Sequence, residues 1–207
     1  MIAARLSMLM LLVAMTVAAA QPDQGWKEAG IKNGVILTFR DDQQLNAREV
    51  RAVAELPHAP GRIIAVVCDF TQALDPDTRE SRVLSGEIGS RYEIYLRYAP
   101  RYLVVSARDV VLDVRREANG CAWSEVAGRV PPQSGTVRMP LLRGSWTVEP
   151  LDASRSRVTY QIAVRPGGTI PGWMVRRGAV SALPEIIEQV ARCLSSAERP
   201  DGRCPKP

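Results

Sequence analysis

The sequence predicts an α+β fold in which one strongly curved antiparallel β-sheet is wrapped around a long C-terminal helix. Three observations predict it. From Pro171 onward, Trp173, Val180, Leu183, Ile187, Val190 and Leu194 recur at steps of three, four or seven, which is one apolar stripe on a helix of roughly six turns. Ahead of it, segments that alternate apolar and polar residues follow one another across short turns, the pattern of antiparallel strands with one wet face. A sheet of about eight such strands tends to curl, and the last helix is the only element large enough to cover its mouth.

The first twenty residues read as an export signal rather than as part of the fold. Arg5 supplies a positive start, Leu6 to Val17 is apolar apart from Ser7 and Thr16, and Ala18 and Ala20 are small enough for cleavage before Gln21. The apolar run is short for a membrane span. The expected organisation is therefore a signal peptide at 1–20, one domain at 21–195 and a polar tail at 196–207, in the periplasm or secreted.

All four cysteines lie beyond the leader. An even count in an oxidising compartment predicts two disulfides. Three pairings exist. Cys193 with Cys204 is favoured because it would pin the tail to the last helical turns, which leaves Cys68 with Cys121 to tie an early helix to a strand. The other reading keeps them reduced, as small buried hydrophobes.

Between leader and last helix the elements read as follows. Gln21 to Gly30 is a short helix or loosely docked arm carrying Trp26. Val35 to Arg40 and Glu49 to Leu56 alternate on either side of Asp41-Asp42 and form an opening hairpin. Pro57, Pro60 and Gly61 end it, and Arg62 to Phe70 is a compact apolar segment of two to three helical turns. Asp75-Pro76-Asp77 is a turn or the start of a second short helix. Strands are then expected at Arg91–Tyr98, Ala107–Arg116, Cys121–Gly128, Gly135–Leu141, Arg143–Glu149 and Arg157–Arg165, punctuated by Asn119-Gly120, Pro131-Pro132 and Pro166-Gly167-Gly168.

The net charge of +5, which becomes +4 when Arg5 leaves with the leader, is too diffuse for a nucleic-acid surface; it suits transient contact with an anionic membrane. There is no Gly-x-Ser-x-Gly, no phosphate-cradling glycine loop, and no His-Glu-x-x-His. The lone histidine, His58, sits in a proline-bracketed turn, so neither a catalytic triad nor a metal site is expected. No cofactor is implied. Missing motifs favour binding over chemistry, and an unusual cyclase or hydrolase would have to rest on Glu93 or Asp109.

Two arginines interrupt apolar strands. Arg108 shares a face with Val110 and Leu112, and Arg97 aligns with Glu93 and Tyr95. Inside a concavity either could hold a phosphate, carboxylate or hydroxyl; the plainer role is an ion pair on a solvated face. Trp123, Trp146 and Trp173, with Val180, Leu183 and Ile187 of the last helix, are candidates to line a pocket or to fill core volume. Trp173-Met174-Val175, beside Gly167-Gly168 and Gly172, could act as a lid or dip into a membrane with Arg176 and Arg177 at the head groups; the plainer role is a helix N-terminus packed on the sheet rim.

Several local signatures in order carry a resemblance. They are Tyr92-Glu93-Ile94-Tyr95, Val105-Ser106-Ala107-Arg108-Asp109-Val110-Val111, Gly135-Thr136-Val137-Arg138, Trp146-Thr147-Val148-Glu149-Pro150, Arg157-Val158-Thr159-Tyr160 and Pro166-Gly167-Gly168-Thr169-Ile170-Pro171-Gly172-Trp173. From Trp26 to about Leu194 the chain resembles the StAR-related lipid-transfer (START) domain family. The resemblance implies a helix-grip fold: a curved antiparallel sheet around a C-terminal helix, enclosing a cavity for a lipid or other hydrophobic ligand. Polar groups such as those of Ser106 to Asp109 would stand among apolar ones, and the loop before the helix would help to gate the cavity. The export signal and the cysteines depart from the mostly intracellular family, so no protein partner is implied. The expected function is binding, and transfer, of a hydrophobic ligand. The rivals are an enzyme of the wider superfamily and an envelope interaction module with a filled core.

Overall fold

The computed structural model describes residues 25–100, 106–196 and 204. The expected signal peptide and most of the tail lie outside the described residues. The chain forms three strands, β1 (Lys27–Lys32), β2 (Val35–Asp42) and β3 (Ala47–Leu56), then helix α1 (Pro60–Val67) and a single 3-10 turn at Phe70–Gln72. Seven more strands follow: β4 (Thr78–Gly86), β5 (Arg91–Tyr98), β6 (Ala107–Glu117), β7 (Gly120–Glu125), β8 (Thr136–Arg138), β9 (Leu141–Pro150) and β10 (Ser156–Arg165). Helix α2 (Gly172–Ser196) closes the fold.

The strands make one sheet in the order β1-β2-β3-β10-β9-β7-β6-β5-β4. The last strand pairs antiparallel with the third, Val158 opposite Ala54 and Ile162 opposite Val50, which joins the two ends of the chain. The expected α+β helix-grip is therefore observed. Two strands were not expected. β1 replaces the proposed N-terminal helix, its pairing with β2 broken by a bulge between Glu28 and Gly30, and Trp26 just before it lies under the guanidinium groups of Arg40 and Arg51. β4 runs from Thr78, after the Asp75-Pro76-Asp77 turn; it forms a bulged sheet edge with mixed polarity, and that hides its period. β8 is shorter than expected and pairs parallel with β6.

Strict alternation decides which side chains face α2. Val50, Ala52 and Ala54 of β3, Tyr92, Ile94 and Leu96 of β5, Val110, Leu112 and Val114 of β6 and Val158 of β10 form one buried core with Leu183, Ile187, Val190 and Leu194 of α2. Trp173 departs from the predicted stripe: it is 60% exposed, because α2 begins beyond the edge of the core. Pro184 lies inside the helix, where it has no amide to donate to the preceding turn. No helix among the described residues is long and apolar enough to cross a membrane.

Both favoured disulfides are present. Cys68, which caps α1, joins Cys121 of β7, and Cys193 of α2 joins Cys204. The first anchors α1 to the middle of the sheet, where the Tyr92 hydroxyl donates to the Cys68 carbonyl (2.7 Å) and accepts from the Phe70 amide (3.0 Å). The second brings the Cys204 amide to the Gln72 side chain at 2.9 Å.

Candidate functional site

Between the concave face and α2 lies a cavity of about 290 Å³. That is near the lower end of the range usual for small-molecule sites. Its wall is mostly apolar: Val50, Leu96, Leu142 and Ile162 from the sheet, Ile170 from the loop before α2, and Leu183 from the helix. Gly144 shapes it from below. A side chain there would meet the Gln161 carbonyl at 2.2 Å and the Trp123 indole at 2.6 Å, so only glycine lets Trp123 lie flat across β9.

Trp123 belongs to an aromatic wall. It meets Phe70 edge-on at 5.1 Å and stacks on Tyr160 at 5.9 Å, and Tyr160 stacks on Trp146 at 4.2 Å. All four rings border the cavity. Phe70 is there because the 3-10 turn that carries it is held by Tyr92 and by the Asp69 carboxylate, which accepts the Thr71 amide at 3.0 Å.

Arg108 is the cationic group of the inner wall, and it is 9% exposed. Its Nε donates to the Pro166 carbonyl at 2.9 Å, Nη2 to Gly167 at 3.3 Å, and Nη1 to the Ser106 carbonyl. Gly167 and Gly168 both have positive φ, the backbone turn that folds the loop before α2 onto this guanidinium. No carboxylate of a described residue pairs with it, and burial pulls its pKa down. A second arginine, Arg48, also reaches the cavity, but it is committed to Asp41 through hydrogen bonds of 2.7 and 2.9 Å and lies over Phe39.

The outer face of β5 carries Arg97, Glu93 and Tyr95. Arg97 pairs with Glu80 at 3.3 Å, Glu93 with Arg129 at 2.7 Å, and the Tyr95 hydroxyl donates to Asp109 at 3.2 Å. None of the three borders the cavity, because odd-numbered residues of β5 point away from α2. Asp109 is fully buried there and takes the Arg138 guanidinium on both oxygens, at 2.8 and 3.0 Å. Val180 instead borders a shallow hollow between α2 and β1, with Leu37 and Pro184. Ile187 is buried in the core away from the cavity, and Trp173 stands in solvent beside Met174 and Val175, which do reach it. The structure thus brings together Arg108, Trp123, Trp146 and Leu183 of the sequence candidates.

Sequence reasoning missed Arg48, Phe70, Tyr98, Met139 and Tyr160 as cavity residues. Alternation puts Tyr98 with Tyr92, Ile94 and Leu96, and Tyr160 with Val158 and Ile162, on the apolar faces of their strands, and that could have flagged their hydroxyls as polar atoms aimed inward. Phe70 and Met139 come from irregular segments with no period to read. Among the described residues no cluster of histidine, cysteine or acidic side chains could hold a metal.

Comparison with solved structures now bears on this arrangement. A STAR-related lipid transfer protein fragment from Xanthomonas axonopodis superposes with a TM-score of 0.71 at 26% identity, over 83% of this chain and 99% of that one. The human StAR-related lipid transfer protein 5 superposes with a TM-score of 0.77 at 15% identity, over 86% and 90% of the two chains. The fold is the START helix-grip. No family model matches the sequence. Two curated relatives match in part. An uncharacterized protein of Pseudomonas aeruginosa is 35% identical over 83 residues, and the phosphatidylcholine transfer protein of Mus musculus is 28% identical over 85 residues. The matches span 41% and 40% of those two relatives. In START terms, the cavity described above lies where the sheet grips its helix.

Proposed function

We propose that the chain is an exported START-type binder of a lipid or other hydrophobic small molecule, which it holds in the cavity between sheet and helix and hands over at a membrane. The observation that carries the reading is the combination of an apolar cavity with a buried arginine on its wall that has no carboxylate partner among the described residues. Burial of apolar ligand surface supplies the drive, at about 25 cal/mol per Å². Arg108 supplies orientation, since a buried cation gains most from a ligand that brings a carboxylate, phosphate or hydroxyl. The similarity to proteins named for lipid transfer supports the hydrophobic class of ligand.

The exposed Trp173, at the start of α2 and next to residues of the cavity wall, suits brief contact with a lipid surface during loading. The leader and the two disulfides support an oxidising, extracytoplasmic setting. Glu93 and Asp109, the carboxylates an enzymatic reading would use, lie on the outer face and are engaged by Arg129 and Arg138.

Titration with dodecanoate, read by fluorescence of Trp123 and Trp146, tests the proposal. Saturable binding is expected, and Arg108→Gln should weaken it roughly tenfold. Binding unaffected by the substitution would remove Arg108 from the site; no uptake of any of a broad panel of fatty acids, sterols and phospholipids would overturn the reading.

A further inference from the structure

Tyr160 is an unusual cavity residue. Its ring is clamped between Trp146 and Trp123, and the whole side chain is 7% exposed. Yet its hydroxyl hydrogen-bonds no other described residue, and the residue borders the cavity. Buried tyrosine hydroxyls nearly always have a partner. Tyr98 repeats the pattern from the opposite side. It stands on β5, four places along the sheet from β10, borders the same cavity, and its hydroxyl likewise meets no described donor or acceptor. The sheet's curvature turns both rings toward one space. Tyr98 is also the direct cross-strand neighbour of Arg108.

We infer that Tyr98 and Tyr160 form a hydrogen-bonding subsite that selects a ligand carrying a neutral oxygen, a hydroxyl or carbonyl, on its apolar body, in addition to the group met by Arg108. The inference rests on the hydrophobic-ligand reading above and sharpens it to an oxygenated amphiphile. Burial, followed by the negative charge of Asp75, raises the pKa of both phenols, so they stay protonated and offer donors. Arg108 is the group that would take an anionic head, and the phenols a neutral oxygen close to it. A purely hydrocarbon body would leave both hydroxyls buried without partners, which is the stronger form of discrimination available to a binding site.

The test compares decanoate and dodecanoate with their 3-hydroxy counterparts, whose hydroxyl lies close to the carboxylate as Tyr98 lies close to Arg108, using the intact chain and indole fluorescence. Wild type should prefer the hydroxylated members by roughly two- to tenfold. Tyr160→Phe and Tyr98→Phe should each reduce that preference, and the double variant should abolish it while still binding the plain acids. Both substitutions keep the ring, and the ligand-free melting temperature should not fall, because the lost hydroxyl had no partner. Equal affinity of wild type for both members of each pair, or a preference that survives in the double variant, overturns the phenol subsite and leaves the hydrophobic-ligand reading standing. No binding of either member of any pair contradicts both.

Discussion

The two faces of β6 treat charge in opposite ways. On the outer face, Asp109 holds Arg138 through two hydrogen bonds, and Asp113 holds Arg91 and Arg115 at distances of 2.7 to 2.9 Å. On the inner face, one residue before Asp109, Arg108 has three backbone carbonyls and, among the described residues, no carboxylate. A buried cation that gains only neutral acceptors is less fully compensated than one paired with a carboxylate. The outer charges are explained by the folded chain alone; under the proposed function the inner one takes the polar end of a ligand.

The comparison can be broken at several points. The largest loss should follow Asp109→Ala, which leaves Arg138 and the Tyr95 hydroxyl without their partner beside a fully buried position. About 3 to 5 kcal/mol of unfolding free energy in urea is expected, with little change in intrinsic ligand affinity measured well below the transition. A loss of binding with stability intact would place Asp109 in the functional site instead.

Removal of the Cys68–Cys121 bridge by a double alanine substitution comes next. It closes a loop of sequence separation 53, and about 2 to 4 kcal/mol should be lost. Phe70 sits two residues beyond Cys68, so the aromatic wall should loosen as well, seen as a shift of indole emission. The bridge from Cys193 to Cys204, with a separation of 11, should matter less to stability.

The smallest effect concerns pH. The Asp113 carboxyl lies below its ordinary pKa, chiefly through the hydrogen bonds of Arg91, with Arg115 adding to them against the cost of burial. A carboxyl depressed in the folded state contributes stability that is fully present above about pH 4 and is lost as the pH falls through the lowered value. Asp113→Asn should therefore flatten the acid limb of the melting-temperature profile below about pH 4. At neutral pH the change should be small, because both arginines are largely exposed. A steep acid limb that survives the substitution would assign it to another carboxylate.

Much of the architecture was legible because it rests on period. Val158, Tyr160, Ile162 and Val164 alternate without interruption, and β10 emerges as read; the α2 stripe from Val180 to Leu194 is equally plain. β1 and β4 were missed because both are sheet edges with bulges, where one face has little to bury. The site was less legible. Alternation puts Arg108 inside and Arg97 outside, yet a sequence does not say which face of a strand meets the helix when both carry charge. Trp173 followed the helical period but lies beyond the sheet it would have to cover. Tyr98 and Tyr160 look like ordinary core aromatics in the sequence, since the lack of a hydrogen-bond partner among the described residues exists only in three dimensions.

The central claim is that the cavity holds a hydrophobic ligand oriented by Arg108. Native and denaturing mass spectra of the same sample, exported into an oxidising compartment and purified without detergent, test it most directly. The account predicts a native mass in excess of the chain, with an apolar molecule released on denaturation and a diminished excess in Arg108→Gln. A bare native mass, together with failure to take up any labelled fatty acid, sterol or phospholipid, would contradict it.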